Sequence, residues 1–503
     1  MVKVWLVLLS VLLAGLFLGN ADRAIDKIQE ARIAETAREM VVDGDWLVPH
    51  YNGEVRLQKP PLTYWLTAVS YQLFGINERA ARLPSALFAI SAAWLMFIWV
   101  RRETSVQMAI GSVLVLGTSF LSLRYFRSGE ADAALLFFIS LASAAGFSLL
   151  EATTKKSVKT FQYAFTLALG LGFLTKGPAG IAIPLITVLV YAFSTKNLPA
   201  LKSLFNPLAL AIFVMLAFAW YAYILLKMPD LAGQFFGKQV DETFVSGTHK
   251  QPIYWYLAHA IEFFAPWSLL LIPAGIWCYQ HRPLPKLVVF SLIWLGVVFA
   301  LLTWTVNKQT QYALLFAPPI AILIAYYIEA ATGKFYQFNR IIFWLLCAAV
   351  LGLVAFAIKK HGLAAIMSPI WLLILLVPFA LKKIFKLTLP SNPILLVAVL
   401  ACFGYLFSEQ FLSKELEKDD IKMLMQSAQV NAQLYQEKPG NGAVSFYAKR
   451  PIKVVDKLTV TNLLTSNNQF WLVAKSKPSF PQANATAEKT VGKWTLWKMT
   501  KQP

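Results

Sequence analysis

Residues 132–150 read DAALLFFISLASAAGFSLL, one carboxylate followed by an almost unbroken apolar run. About 20 apolar residues in helical form cross the ~30 Å hydrocarbon core of a bilayer. The carboxylate of Asp132 therefore falls at the membrane boundary, where an acid is either a helix N-cap or a functional group. The same ruler carried outward gives thirteen expected spans: 4–20, 83–100, 106–124, 132–150, 161–175, 178–194, 206–226, 261–280, 287–304, 312–330, 341–358, 364–381 and 391–408. The run 4–20 reads as a retained first span rather than a removed signal. Composition points the same way. Of 503 residues, 57% are hydrophobic and 14% charged, with mean hydropathy +0.56. Soluble domains carry about 25% charged residues, so an ordinary soluble domain and a disordered chain are both excluded.

The net charge of +20 would suggest nucleic acid in a soluble protein. In a polytopic one it reads as positive-inside topology and contact with anionic lipid, and no nucleic-acid partner is expected. With the N-terminus in the cytoplasm, the turns after alternate spans carry Arg101, Arg102, Lys155, Lys156, Lys159, Lys196, Lys202, Arg282, Lys286, Lys334, Arg340, Lys382, Lys383 and Lys386. Lys359 and Lys360 run against that pattern. The opposite turns are longer and hold acids, so the functional face is expected outside the cytoplasm. Cys278, Cys347 and Cys402 lie in apolar runs and form neither a disulfide framework nor a zinc spacing. The histidines are scattered, and no metal site is expected.

Two domains follow: a membrane domain over 1–408 and a soluble tail over 409–503. Within the first, 21–82 forms a large outer loop. Ile33, Ala37, Met40 and Val41 recur at helical spacing there, which predicts an amphipathic surface helix. Pro60-Pro61 opens a second, Leu62–Phe74. In the tail, Lys414–Asp420 reads as helix. Val444–Phe446, Lys453–Val455, Phe470–Val473 and Trp494–Trp497 read as strands of a small α/β domain.

The polar groups at membrane level are the candidates for chemistry. Lys59 follows Gln58 and precedes two prolines that fix its backbone. An ammonium at headgroup depth suits a phosphate, or simply snorkels. Arg127, Glu130 and Asp132 crowd the start of the fourth span. Glu30 lies on the apolar face of the first surface helix with Asp26 one turn earlier, and a carboxylate there needs a partner or a task. Lys176 divides two short spans, and Lys308 and Tyr312 open the tenth. With Lys59 and Arg127 they place four cations and a phenol at one level, a set fit for a lipid phosphate. His249 precedes the aromatic Tyr254-Trp255-Tyr256.

The stretches Glu30–Met40, Gly44–Pro49 and Gln58–Trp65 resemble the first outer loop of the glycosyltransferase 83 family, membrane enzymes of GT-C type. Arg82-Leu83-Pro84, Arg127 with Asp132, Leu174–Pro178, Pro266-Trp267 and Lys308 with Tyr312 follow in that family's order, over about residues 1–330. The family includes the lipid A aminoarabinose transferase and is related to protein O-mannosyltransferases. The resemblance implies transfer of a sugar from a polyprenyl-phosphate carrier, usually undecaprenyl phosphate, on the periplasmic face of the bacterial inner membrane. It implies that Lys59 binds the carrier phosphate, that Asp132 lies beside the reacting sugar, and that Tyr312 lines the same cavity. Two positions depart from the pattern. Gln29 stands where the family usually has Asp, and Gln58 where it often has Glu.

The sequence therefore predicts an inverting, lipid-linked glycosyltransferase of GT-C fold. Lys59, Arg127, Lys176 and Lys308 would hold the donor phosphate. Asp132, Glu30 and Asp26 are the candidate catalytic acids, and Gln29, Gln58, Tyr312 and His249 would line the substrate cavity. The acceptor would be lipid A, another glycan or a protein. The rival readings are a transporter of lipid-linked sugars and a catalytically inactive relative.

Overall fold

The computed structural model describes residues 23–345 apart from 26, 343 and stretches within 232–248. It also describes 348, 359 and most of 420–501. The expected spans 4–20, 364–381 and 391–408, nearly all of the expected span 341–358 beyond 345, and the expected boundary at 408/409 lie outside the described residues.

The chain enters as α1 (Ile28–Asp43), which ends where Gly44 takes a left-handed φ of 74° and its N–H caps Met40 O. A two-stranded hairpin follows, β1 (His50–Tyr51) and β2 (Glu54–Val55). Its turn residues Asn52 and Gly53 both have positive φ, the backbone that a tight two-residue hairpin needs. Glu39 of α1 accepts both turn N–H groups, at 2.8 and 3.1 Å, and so fixes the hairpin on the helix. The second surface helix is α2 (Leu62–Phe74), with the boundaries read from the sequence.

The bundle then runs through α3 (Glu78–Glu103), α4 (Val106–Thr118), the short α5 (Phe120–Tyr125), α6 (Asp132–Leu150), α7 (Lys155–Lys176), α8 (Ala179–Ser194) and α9 (Pro207–Lys227). It continues through α10 (Leu271–Gln280), α11 (Lys286–Trp304) and α12 (Ala317–Ala330). Among the described residues, five helical segments are long and apolar enough to cross a membrane: Glu78–Glu103, Asp132–Leu150, Pro207–Lys227, Lys286–Trp304 and Thr310–Ala330. The chain is a polytopic membrane protein of helical architecture.

α6 is the most enclosed of these five. It packs on α3, α7 and α8, and Ala, Ser and Gly along it let neighbouring backbones approach. α7 and α8 come so close that a Cβ on Gly180 would collide with the backbone of Gly172. Gly177, at φ 79°, breaks the chain between them and leaves Lys176 at a helix end.

Two expected spans are broken. The 106–124 run divides at Ser119 into α4 and α5. The 261–280 run becomes a short helix Ala260–Phe263, a 3-10 turn Trp267–Leu270 and α10, because Pro266 removes an N–H from the ladder.

The tail forms a five-stranded sheet of order β4-β3-β5-β7-β6: β3 (Leu434–Glu437), β4 (Val454–Val455), β5 (Gln469–Ala474), β6 (Ala483–Val491) and β7 (Trp494–Lys501). Helices α13 (Asp420–Ser427) and α14 (Gly442–Ala448) accompany it. The expected strand Val444–Phe446 is thus corrected to helix. Asn441 caps it by accepting Ala443 N–H, and Ala443, Val444 and Phe446 bury against the α1 side. Long-range packing overrides the local β preference of Val and Phe here. Ser445 Oγ donates to Asn52 Oδ1 at 2.6 Å, and Tyr447 Oη accepts Ile25 N–H at 2.7 Å. The tail sits on the same end of the bundle as α1, α2 and the hairpin.

Candidate functional site

At that end a cavity of about 890 Å³ opens between the first loop and the helix ends. Each wall is fixed by a local feature already described. The start of α1 supplies Lys27, Gln29 and Arg32, and the segment after the hairpin supplies Arg56, Gln58 and Lys59. The loop before α6 and its first residue bring Glu130 and Asp132; the end of α7 brings Lys176. His249, Lys308 and Tyr312 close the remaining side. That side is held by a bridge between Lys250 and Asn307 and by Lys308 N–H donating to His249 O at 3.0 Å.

The centre is an ion pair. Lys176 Nζ donates to Asp132 Oδ1 at 2.5 Å, and the same ammonium lies 4.9 Å from the Tyr312 ring centroid. No hydrogen bond to Asp132 Oδ2 occurs among the described residues. Beside it, Glu130 accepts Ser128 Oγ at 2.8 Å and faces Lys27 Nζ at 3.9 Å. Burial pushes the Glu130 carboxyl above the usual carboxylate range. Burial also pulls the Lys27 ammonium below its ordinary value, with Glu130 opposing. Lys308 is turned differently from the expectation: its Nζ donates to Thr305 O at 2.5 Å, although the residue still lines the cavity.

Two expected site residues lie elsewhere. Glu30 does not line the cavity. It is fully buried, accepts Arg82 Nε and Nη2 at 2.7 and 3.2 Å, and accepts Gly129 N–H at 2.8 Å. Burial alone would raise its pKa, but the Arg82 guanidinium overrides this and holds the carboxyl at about 2. A carboxylate so engaged ties α1 to α3 and to the loop before α6. Arg127 is buried outside the lining, and Arg124, one helical turn earlier, faces the cavity instead. Asp26 lies outside the described residues. Lys59, Lys176, Lys308, Asp132, Gln29, Gln58, Tyr312 and His249 all line the cavity.

Reading the sequence alone missed Lys27, Arg32, Arg56 and Arg124 as lining residues, while Glu130 was singled out with Asp132 and does line the cavity. The helical spacing of Ile33, Ala37, Met40 and Val41 leaves Arg32 on another face of α1, which was the available signal. Among the described residues, no group of three His, Cys, Asp or Glu side chains converges as a metal site.

The family model for dolichyl-phosphate-mannose-protein mannosyltransferase matches residues 58–223, which hold Lys59, Asp132 and Lys176. An uncharacterized protein of Aquifex aeolicus is 29% identical over 385 residues, 76% of this chain and 75% of that protein. The undecaprenyl phosphate-alpha-4-amino-4-deoxy-L-arabinose arabinosyl transferase of Aeromonas salmonicida is 29% identical, over 67% of this chain and 64% of its own length. Its counterpart in Edwardsiella ictaluri is 31% identical, over 61% of this chain and 56% of its own length. The matched part thus spans less than two thirds of these arabinosyl transferases. The fold is shared over nearly the whole chain with the crystal structure of ArnT from Cupriavidus metallidurans bound to undecaprenyl phosphate. The TM-score is 0.80 at 19% identity, covering 99% of this chain and 98% of that one. The chain thus has the fold of that ArnT and is similar in sequence to these transferases. In a chain of this fold the cavity at the loop-covered end of the bundle is the candidate active site. It brings together residues from six separated stretches of sequence.

Proposed function

We propose that the chain transfers a sugar from a polyprenyl-phosphate carrier, with inversion, to an acceptor in the cell envelope. The reaction would take place in the cavity between the first loop and the helix ends. The observation that carries the reading is the Asp132–Lys176 pair inside a cavity also lined by Lys59 and Tyr312. It stands on a fold like that of a protein crystallised with undecaprenyl phosphate.

The acceptor oxygen attacks the anomeric carbon from the side opposite the carrier. The bond from that carbon to the phosphate oxygen breaks, and its electron pair goes to the phosphate. Cations placed where this charge develops lower the barrier, and Lys59 is the first of them. A hydroxyl acceptor gives its proton to Asp132 Oδ2, the oxygen that Lys176 leaves open. A phosphate acceptor is already anionic and needs no base. Lys176 holds Asp132 ionised and oriented, and Tyr312 lies over Lys176. The cavity faces the periplasm, the inner membrane holds the bundle, and lipid A, a glycan or a protein is the acceptor class.

The test uses purified protein in lipid nanodiscs with radiolabelled undecaprenyl-phosphate sugar and isolated envelope lipids and glycans. Label in the acceptor fraction supports the reading. Movement of intact donor across proteoliposomes without transfer would make the chain a transporter of lipid-linked sugars instead.

A further inference from the structure

The cavity's charges do not all cancel. Lys176 is paired with Asp132, and Lys27 faces Glu130. Arg32 and Arg56 have no such partner. Among the described residues, neither guanidinium forms an ion pair or hydrogen bond with a carboxylate. The side-chain hydrogen bond of Arg56 runs from Nε to Tyr64 Oη, at 3.2 Å, and its guanidinium carbon lies 5.4 Å from the Tyr51 ring centroid. Arg32 shares Tyr51 as its hydrogen-bond partner and feels the field of Arg56. Arg56 is 8% exposed. Two cations are thus held close together, largely out of water, with only two phenols between them, and both line the cavity.

Such a like-charge pair is costly unless an anion joins it. The fold nevertheless enforces it. Arg56 leaves the hairpin that Glu39 pins to α1, and its backbone N–H is tied to Pro49 O at 2.7 Å. Arg32 is set by α1 and Tyr64 by α2. Guanidinium groups suit planar, bidentate recognition of phosphate oxygens. Lys59 follows Arg56 by three residues on the same cavity wall.

We propose that Arg32 and Arg56 form a clamp that recognises the doubly charged phosphate monoester produced when the sugar leaves. This rests on the donor reading above. The donor is a phosphodiester with one negative charge. When the carbon–oxygen bond to the sugar breaks, the electron pair passes to the phosphate, which becomes a dianion. Lys59 serves the charge common to both states. The clamp serves the charge that appears only as the bond breaks, so it stabilises the departing group more than the bound donor. It also makes the released carrier a tight product inhibitor.

The experiment compares binding of undecaprenyl phosphate with that of its methyl ester, a diester fixed at one charge, to purified full-length protein at pH 8. At that pH the monoester, with a second pKa near ~6, is the dianion. The wild type should prefer the monoester by roughly 10- to 150-fold, the worth of a charge-assisted contact. Arg56→Gln and Arg32→Gln should bring the preference to within about threefold while the diester affinity stays close to wild type. Arg56→Lys, which keeps the charge without the fork, should retain part of it and shows that a weakened variant is still folded. Lys59→Met should weaken both lipids together. A wild type that does not discriminate overturns the clamp, as do Arg56→Gln and Arg32→Gln variants that weaken both lipids equally or neither. Failure of the wild type to bind either lipid removes the donor reading and the clamp with it.

Discussion

Exchanging Glu30 for glutamine separates the frame of the site from its chemistry. The carboxylate is fully buried and accepts Arg82 twice and Gly129 once. Removing one partner of a buried ion pair costs about 3–5 kcal/mol. The amide keeps one acceptor oxygen, worth about 1 kcal/mol, and Arg82 keeps the carbonyls of Arg23 and Ala24 at 2.6 and 3.2 Å. The expected loss is therefore about 2–4 kcal/mol. Linkage gives an independent figure. The carboxyl falls from 4.5 to about 2 on folding, which at ~1.4 kcal/mol per unit is about 3 kcal/mol. Because this pKa is depressed, the contribution is fully present above about pH 4.5 and fades as pH falls through about 2. Unfolding of wild type and Glu30→Gln in detergent micelles should thus differ by that amount at pH 7 and converge at strongly acidic pH. The rate of transfer per folded molecule should fall, since Gly129 adjoins Glu130, but the shape of its pH profile should not change. Equal stability of the two proteins, together with loss of the acid limb of the rate profile in Glu30→Gln, would refute the bracing role and return Glu30 to the chemistry.

Three further outcomes are expected. Asp132→Asn should lower single-turnover transfer to a hydroxyl acceptor at least about tenfold, a modest share of the ~10²–10⁴ assigned to general acid–base help; an unimpaired rate removes Asp132 as the base. Lys59→Ala should weaken donor binding roughly 10- to 150-fold, and Lys59→Arg should restore it only in part; equilibrium binding beside a size-exclusion profile reads this out. Cysteines placed in the 44–54 segment and on the α14 side of the tail should react with an impermeant thiol reagent from outside intact spheroplasts. Those at 101–105 and 154–160 should react only after lysis, and the reverse pattern would invert the proposed orientation.

Much of the frame was legible because its signals are local. An apolar run headed by Asp132 and closed after Leu150 gave α6 with its observed ends, and Pro60-Pro61 gave the start of α2. Where local signals compete, the reading failed. Val444 and Phe446 favour strand, yet the cap at Asn441 and burial against α1 decide for helix. Continuous hydropathy over 261–280 hid the break that Pro266 imposes.

The site was legible in part for the same reason. Lys59, Asp132 and Lys176 stand out because a charge near lipid is expensive. The pairing of Glu30 with Arg82, 52 residues away, leaves no mark on the sequence around either. A buried acid on an apolar helix face therefore looked like a catalytic one. Arg56 was overlooked because a charge beside a hairpin looks solvated until the hairpin is folded onto α1. Arg124 and Arg127 are indistinguishable by composition, and only the turn of α5 decides which of them faces the cavity.

The most direct test of the central claim is the structure of the protein with undecaprenyl phosphate bound. The account predicts phosphate density in the cavity beside Asp132 and Lys176, with an oxygen at about 2.7–2.9 Å from Lys59 Nζ. Density for the phosphate outside this cavity, with Lys59 uninvolved, would contradict it.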